Sequence, residues 1–487
     1  MRRFSALLFL AVAALPVGAC DPKTQGEPRV IVIGGEPQLR DPALGPLSPP
    51  QAVLTQSVAQ GLVRFDAAGN VVAGLAERWN VSDDGMSYIF RLAPVQWADG
   101  RKLTAEQVAR LLKRAIAPRA RDPFRDALGA IEDVVAMTER VIEIRLTAPR
   151  PNLLTLLAQP ELAIVRDKVG TGPFTIAALD SATGEFRLVR DVTPPGEEES
   201  ATDTVLLSAA PAADAVSRFA AGKADLVLGG RYADLALARA AKLPRGALRF
   251  DPASGLFGLV ALARTGPYAS AEGRRLLAQA IDREQLVTLL GVPGLLPRAT
   301  VLEPALDGVP APVPPPWTAT PFGERLPALR AEAERIFAGA DKRPVRVRIG
   351  DGPGADLLFD LLSRNWGAMG LTIERVSAGP ADFALIDEVA PSSSPAWFVR
   401  RFRCAIVPVC DPQADELTDA ARSALVPAER YALLAQAASR IDEAQLFIPL
   451  AAPVRWSLVG PRIRNFAGNR YARHTLTNLE LKFGDGG

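Results

Sequence analysis

The stretch from Gly61 to Gly100 constrains the fold more than any other part of the sequence, because short apolar runs in it alternate with turn signals. The two turn signals are Ala68-Gly69-Asn70 and Asp83-Asp84-Gly85, where glycine and asparagine favour tight reversals of the chain. Short apolar runs bounded by such signals are typical of strands. The stretch therefore predicts a β-meander.

The segment 102–118, KLTAEQVARLLKRAIAP, follows the meander directly and predicts an amphipathic helix. Thr104 and Gln107 have the spacing of a capping box, which satisfies free amide groups at the start of a helix. Pro118 ends the helix, because proline cannot continue it. The apolar face of the helix is expected to comprise Val108, Leu111, Leu112, Ala115 and Ile116.

This combination resembles the N-terminal signature of the oligopeptide, dipeptide and nickel type of solute-binding proteins, family 5, which feed ABC importers. The phrases GLVRFDAAG, GLAERWNVSDDG and VQWADG occur in the same order as in that family. The resemblance extends over nearly the whole chain. Later segments that resemble the family are GTGPF (170–174), RFAAGKADL (218–226), SAEGRRLLAQAIDREQLVTLL (270–290) and ERYALLAQAASRIDEAQLFIPL (429–450).

The resemblance implies an α/β fold of the two-lobed periplasmic binding protein type, class II, with a subdomain inserted in lobe I. Lobe II is expected to comprise residues 251–451, and the inserted subdomain residues 50–164. The remaining lobe I is expected to comprise 28–49, 165–250 and 452–487. Because the chain passes between the lobes more than once, the connections would form a hinge.

The N-terminus has the features of a processing segment. Arg2-Arg3 precede an apolar run, and Val17-Gly18-Ala19-Cys20 resembles a bacterial lipobox. Residues 1–19 are therefore expected to be a lipoprotein signal peptide, with Cys20 as the lipidated residue. Asp21 resembles an inner-membrane retention signal, which implies a periplasmic protein held at the inner membrane by its lipid alone. The alternative is an ordinary secretory signal with an incidental cysteine.

Composition argues against several classes of function. The formal net charge of +2 leaves no electrostatic footprint for nucleic acid. His474 is the only histidine, so no metal site and no Ser-His-acid arrangement is expected. A lone histidine in a polar tail is usually a partly exposed side chain. The sequence therefore predicts a protein that is not an enzyme and has no cofactor.

Cys404 and Cys410 are the other two cysteines of the chain. In an exported protein, a close pair of cysteines favours a small disulfide loop over a redox site. Spacing alone does not exclude two free buried thiols, because a bridge also depends on the geometry of the backbone.

Carried over by position, the resemblance gives candidate ligand contacts near the start of the chain. Gly45, Pro46, Leu47 and Ser48 follow the segment QLRDP, which resembles the family's phrase before the cleft wall. A surface turn would explain these residues equally well. Phe124 falls where relatives place an aromatic residue at the cleft, and its alternative is a core position.

A second candidate contact is the loop Gly350–Ala355 between a predicted strand and a predicted helix. Its pattern G-x-G-x-x-A, with Glu374 on the next strand, also fits a dinucleotide-binding loop in outline. Pro353 removes one amide that would face a pyrophosphate. We therefore favour a tight turn at the cleft, with Gly350 and Asp351 as candidate ligand contacts.

The sequence departs from the family at the segment Asp387–Pro391. Peptide-binding relatives carry an Asp there that pairs with the peptide's ammonium group, and Pro391 stands at that position. Glu388 replaces a tryptophan, and the connector Ser377–Ala381 before this segment is short. The candidate contacts are Asp387, Glu388, Val389 and Ala390. Either acid could replace the lost charge for an amine-bearing ligand, or both could lie in a solvent-exposed loop.

The resemblance implies a monomeric substrate-binding lipoprotein of an ABC importer. It would capture a peptide or peptide-like small solute between its lobes and deliver it to an inner-membrane permease. The alternative is an envelope lipoprotein that has kept the fold, has lost solute uptake and acts through protein contacts.

Overall fold

The computed structural model of the 487-residue protein describes residues 26–97, 99–117, 124, 127–192, 201–337 and 343–481. The predicted signal peptide and Cys20 lie outside these residues, and so does Pro118. Among the residues described, no helix is both long enough and apolar enough to cross a bilayer.

The strands form five sheets. In chain order they are β1 (Arg29–Ile33), β2 (Val63–Phe65), β3 (Val71–Ala73), β4 (Ala76–Val81), β5 (Ser87–Leu92), β6 (Ile131–Thr138), β7 (Val141–Leu146), β8 (Thr175–Asp180), β9 (Glu185–Val192), β10 (Ala201–Ala210), β11 (Leu226–Arg231), β12 (Leu248–Phe250), β13 (Gly255–Ala261), β14 (Val345–Arg348), β15 (Ile373–Val376), β16 (Phe383–Val389), β17 (Phe447–Ala451), β18 (Arg455–Val459), β19 (Ile463–Arg464) and β20 (Glu480–Leu481).

The helices lie between these strands and on the faces of the sheets. In chain order they are α1 (Pro49–Val58), α2 (Ala105–Ile116), α3 (Leu153–Leu157), α4 (Ala212–Ala220), α5 (Leu235–Ala240), α6 (Ala271–Gln279), α7 (Arg283–Leu290), α8 (Phe322–Ile336), α9 (Pro353–Gly367), α10 (Pro395–Arg400), α11 (Pro412–Ser423) and α12 (Pro427–Glu443).

The predicted meander and helix form a subdomain around the four-stranded sheet β4-β5-β7-β6. Gly69 and Gly85 have φ angles of 83° and 69°, which glycine adopts without strain. The predicted capping box of α2 is present. The backbone N–H of Gln107 donates to Thr104 Oγ1 over 3.3 Å, and the backbone N–H of Thr104 donates to Gln107 Oε1 over 3.4 Å.

Lobe I is built on a seven-stranded sheet in the order β12-β18-β11-β1-β10-β9-β8. Its centre is β1, which pairs in parallel with β10 and β11. The sequence RVIVI buries its three central residues, as expected of a strand covered on both faces.

Lobe II is built on a five-stranded sheet in the order β15-β14-β16-β13-β17. The chain enters it between β12 and β13 and returns to lobe I between β17 and β18. Each passage is only a few residues long, and β13 is buried along its whole length. The lobes are thus joined by two short connections at one edge of each sheet.

One apolar core continues from lobe I into lobe II. Tyr232 follows β11, and its ring packs against that of Phe257 on β13 with the centroids 4.8 Å apart. Burial, and after it the charge of Asp387, raises the pKa of the Tyr232 phenol. The Tyr232 phenol is therefore uncharged at neutral pH, and its ring packs between the two lobes.

Two glycines of the Gly350–Ala355 loop, Gly352 and Gly354, are explained by close packing between the lobes. A Cβ at Gly354 would lie 2.1 Å from the carbonyl oxygen of Tyr232, and Gly352 has a φ of 118°. The start of α9 therefore rests on the backbone of lobe I, and glycine is required for that approach. This packing accounts for Gly352 in the pattern that also resembled a dinucleotide-binding loop, while a Cβ at Gly350 would meet nothing within 4 Å.

Cys404 and Cys410 form a disulfide with their Cα atoms 5.0 Å apart. The bond closes a short loop between α10 and α11. The structure thus shows the bridged state and not the alternative of two free thiols.

We expect replacement of Cys404 and Cys410 by serine to lower the free energy of unfolding by about 2 kcal/mol, since the bond restricts a short loop in the unfolded chain. The measurement is urea denaturation of the Cys20→Ser protein with and without the two substitutions. Thiol titration of the same Cys20→Ser protein should detect no free thiol before reduction and two after it. Two reactive thiols in the unreduced protein would contradict the bridge.

Candidate functional site

A cavity of about 390 Å³ lies between the two lobes, within the size range of small-ligand sites. Lobe I and the subdomain contribute residues from β1, β11, α1 and the C-terminal tail. Lobe II contributes the end of β16 and residues of α10. Both lobes therefore wall the same cavity.

The start of α1 forms one side of the cavity through Pro46 and Pro49. Ser48 caps this helix, and its amide donates to Gln51 Oε1 over 3.0 Å. Gly45, Leu47 and Ser48 do not line the cavity, so Pro46 is the only one of the four candidate residues at its wall. The alternative of a surface turn accounts for the other three.

All four candidate residues of the second lobe, Asp387 to Ala390, line the cavity, and Pro391 follows them there. Asp387 and Glu388 belong to β16, which pairs with β13. The alternative that both acids lie in a solvent-exposed loop is therefore wrong. The side chain of Asp387 is only 3% exposed, whereas that of Glu388 is 44% exposed.

Asp387 is held by two arginines from lobe I. Arg231 donates to Asp387 Oδ2 from Nε over 3.0 Å and from Nη2 over 2.8 Å. Arg455 donates from Nη1 to Oδ1 over 2.7 Å and from Nη2 to the Asp387 carbonyl over 3.0 Å. Burial opposes the charge of Arg231, but Asp387 outweighs it and the pKa of Arg231 is raised. The negative charge of the Asp387 carboxylate is therefore already balanced by two arginines.

Gly230 and Trp456 position these two arginines. A Cβ at Gly230 would lie 2.1 Å from Trp456 Cδ2, so the indole ring covers the glycine backbone. Trp456 Nε1 donates to the Arg231 carbonyl over 2.8 Å. The ring thus fixes β11 against β18, where Arg231 and Arg455 are paired in register.

A chain of hydrogen bonds links the tail, the subdomain and lobe II. Arg473 donates to Glu161 Oε1 over 2.8 Å and to Gln159 Oε1 over 3.2 Å. Gln159 Nε2 donates to the Pro391 carbonyl over 2.7 Å. The carbonyl of Pro391, the residue that the sequence resemblance aligns with a peptide-anchoring Asp, is therefore already bound from the opposite side of the cleft.

Glu388 forms an ion pair with Arg401, which follows α10. Both side chains belong to lobe II and reach the cavity. Each of the three carboxylates that the structure describes on the cavity wall is thus engaged by at least one arginine.

His474 also lines the cavity, and the expectation of a partly exposed tail histidine is wrong. Its ring is buried and stacks on Phe466 with the centroids 4.7 Å apart. Nε2 lies 3.1 Å from Asp251 Oδ2. The histidine therefore anchors the C-terminal tail where lobe I meets the cleft.

The apolar part of the wall includes Phe124, Trp397 and Tyr471. Phe124 is buried and belongs to the subdomain core as well, so it is a core residue that also reaches the cavity, and its contact with a ligand stays a prediction. Tyr471 stacks on Phe65 with the centroids 5.1 Å apart. These rings give the cavity an apolar part beside its charged groups.

Gly350 and Asp351 do not line the cavity, contrary to the expectation from their position in the sequence. Arg375 donates to the Gly350 carbonyl and lies 3.4 Å from Asp351 Oδ1, whose side chain is fully exposed. The loop packs on lobe I through its glycines instead of facing the cleft.

Several residues of the wall carry no local signal in the sequence: Gln159, Glu161, Arg231, Trp397, Arg401, Arg455, Tyr471 and Arg473. Within the described part of the chain, no cluster of three or more His, Cys, Asp or Glu residues could hold a metal ion. The arrangement offers a solute charged groups, hydrogen-bonding groups and apolar surface. Two lobes, two adjacent connections and a cavity walled by both define a two-lobed solute-binding protein.

Comparison with known proteins identifies the family. Residues 70–374 match the model of bacterial extracellular solute-binding proteins, family 5 middle, and the chain belongs to this family. The probable di/tripeptide-binding protein 5 of Pseudomonas aeruginosa is 24% identical over 490 residues, covering 86% of this chain and 89% of that protein. The probable deoxycholate-binding periplasmic protein YgiS of Escherichia coli is 33% identical over 129 residues, or 23% of this chain and 24% of that protein.

Solved structures confirm the predicted α/β, two-lobed fold. The Escherichia coli murein tripeptide binding protein MppA matches with a TM-score of 0.78 at 18% identity, covering 94% of this chain and 99% of that one. Haemophilus influenzae OppA in complex with RPPGFSPFR matches with a TM-score of 0.77 at 19% identity, covering 94% of this chain and 99% of that one. The family consists of extracellular binding proteins and not of enzymes.

Proposed function

We propose that this protein is the substrate-binding component of an ABC importer. It captures a peptide or peptide-like small solute and delivers it to an inner-membrane permease. The observation that carries the proposal is the cavity of about 390 Å³ whose wall comes from both lobes. A protein that acted only through surface contacts would not require such a cavity.

Capture is coupled to closure, because a solute that touches both lobes binds the closed form better than the open one. Contacts across the cleft support a closed form of this kind. Gln159 bonds the Pro391 carbonyl, and Arg150 Nη2 donates to the Arg422 carbonyl over 2.7 Å. The short connections at 250–255 and 451–455 serve as the hinge. The closed form is the one that docks on the permease.

In this proposal the mature protein is a monomer anchored in the inner membrane through lipid on Cys20. The lipobox-like sequence before this cysteine supports the anchor. Anchoring keeps the binding protein near its permease, so a released solute meets the transporter within a short distance.

The solute class rests on the relative that aligns over most of its length, which is named for di- and tripeptides. The relative named for deoxycholate aligns over about a quarter of its length. A peptide-like solute is therefore the first class to test, and deoxycholate the second.

The test is native mass spectrometry of the Cys20→Ser protein purified from the periplasm, followed by calorimetry with a pool of di- and tripeptides. We expect a bound species a few hundred daltons above the apo mass that is lost on unfolding. Pro46→Trp should abolish binding, because the exposed Pro46 lines the cavity and an indole ring there would fill it.

Leu44→Trp is the matched control, since Leu44 is 64% exposed and does not line the cavity. It should bind as the parent protein does. If no solute co-purifies and neither the peptides nor deoxycholate bind, solute capture is wrong and the envelope protein that acts through protein contacts gains support.

A further inference from the structure

The charged side chains on the cavity wall do not balance. Among the described residues, the wall carries more guanidinium groups than carboxylates: Arg231, Arg401, Arg455 and Arg473 against Glu161, Asp387 and Glu388. Among these side chains there is therefore an excess positive charge of one, and His474, which also lines the cavity, has its Nε2 3.1 Å from Asp251 Oδ2 behind the wall. Such an excess favours an anionic ligand.

No carboxylate that the structure describes on this wall is free to receive an ammonium group. Asp387 accepts from two arginines, Glu161 from Arg473 and Glu388 from Arg401. An ammonium group that enters the cavity would lose its hydration and meet only acids that are already paired. The carbonyl of Pro391, at the position of the usual anchor, already accepts a hydrogen bond from Gln159.

Arg231 and Arg401 both line the cavity, and each retains a donor that has no partner in the described part of the chain. Arg231 is half-exposed and uses Nε and Nη2 for Asp387, while its Nη1 has no partner among the residues described. Arg401 is a third exposed and gives Nη2 to Glu388, and its Nη1 has no partner in the same residues, whereas its Nε is buried. One arginine belongs to lobe I and the other to lobe II.

We propose that the solute of this cleft carries a carboxylate and needs no ammonium group, and that Arg231 and Arg401 receive the carboxylate. This inference rests on the proposed function and defines its substrate class. A carboxylate held by one arginine from each lobe favours closure by its own contacts. The body of the solute packs on Phe124, Trp397 and Tyr471.

Four forms of one apolar dipeptide test the proposal by calorimetry. Leucyl-phenylalanine carries both charges, its N-acetyl form only the carboxylate, its amide only the ammonium group, and its N-acetyl amide neither. We expect the N-acetyl acid to bind at least as tightly as the free dipeptide. Both amides should bind at least about tenfold more weakly, the effect of losing a charged hydrogen bond.

The outcomes separate the two proposals. Equal binding of acids and amides, or loss of binding on N-acetylation, would overturn the anionic solute while leaving capture of a peptide-like solute intact. Failure of all four forms to bind would count against a peptide-like solute. The proposal of an anionic solute, which rests on that class, would then also be wrong.

Arg231→Gln is the decisive variant, because Asp387 keeps its ion pair with Arg455. The two acids should bind at least about tenfold more weakly, whereas the amides should be unaffected, a pattern that a merely structural change would not produce. Arg401→Gln tests the other lobe in the same way.

Arg346→Gln is the control, since Arg346 pairs with Glu374 and does not line the cavity. It should bind all four dipeptide forms as the parent protein does. Unchanged discrimination between acids and amides in both cleft variants would overturn the assignment.

Discussion

Replacement of Asp387 by asparagine should lower the free energy of unfolding by about 3 kcal/mol, the loss typical of a buried ion pair that loses one partner. Asp387 is 3% exposed and bonds two arginines of the opposite lobe, of which Arg455 is 14% exposed. Asparagine keeps the size of the side chain but leaves two guanidinium groups facing each other. Arg231 is half-exposed, so water screens part of this repulsion and the lower end of the usual range applies.

The measurement is urea denaturation followed by circular dichroism, with small-angle scattering on the folded protein. Because Asp387 joins lobe II to lobe I, the variant should also have a larger radius of gyration, as expected of an opened cleft. Glu388→Gln is the matched control. It lies next to Asp387 on the same strand, is 44% exposed, and should change stability by less than about 1 kcal/mol.

Equal stability of Asp387→Asn and Glu388→Gln would show that the inter-lobe pairs contribute nothing net. If Asp387→Asn lowered stability without increasing the radius of gyration, the substitution would act within lobe II and not on the contact between the lobes. The two measurements therefore separate the folding role of Asp387 from its role in closure.

The parts of the fold that were predicted from sequence depend on neighbours along the chain. The turns at Gly69 and Gly85 need a positive φ, and the capping box of α2 joins two residues three positions apart. Such signals lie within a few residues and can be recognised in one segment. The two-lobed architecture followed from the order of these segments and their resemblance to a family.

The charged wall of the cavity could not be predicted in this way, because its partners are far apart in sequence. Arg231 lies 156 residues from Asp387, and Gln159 lies 232 residues from Pro391. Nothing near Asp387 indicates that two arginines will neutralise it. The sequence therefore located the acid at the cleft but left open whether it was free for an amine.

The loop Gly350–Ala355 was ambiguous in the sequence for a different reason, because one local sequence pattern is compatible with two different structures. Gly352 and Gly354 let a helix approach a neighbour closely, and a pyrophosphate site needs glycines for a similar reason. Here the neighbour is the backbone at Tyr232 and Ala233, which belongs to the other lobe. Only the tertiary structure distinguishes the two uses.

Trp366→Ala should lower the free energy of unfolding by about 4 kcal/mol, the usual loss for an aromatic side chain removed from a core. Trp366 lies on α9 and is fully buried in the core shared by the two lobes. Its ring is 6.1 Å from that of Phe383, and Nε1 donates to the Leu277 carbonyl over 3.1 Å. Alanine would leave both a cavity and an unpaired carbonyl.

Trp317→Ala is the matched control in the same lobe. Trp317 is half-buried at the surface, with the guanidinium groups of Arg283 and Arg325 at 5.1 and 5.0 Å from its ring, and should contribute only about 1 kcal/mol. Trp366→Phe separates the two losses, since it keeps most of the volume but leaves the Leu277 carbonyl unpaired. It should lower the free energy of unfolding by about 1 to 2 kcal/mol.

Because the core continues through Tyr232 and Phe257, Trp366→Ala should weaken both lobes in one transition. Two separate transitions would instead show that lobe I holds its fold without lobe II.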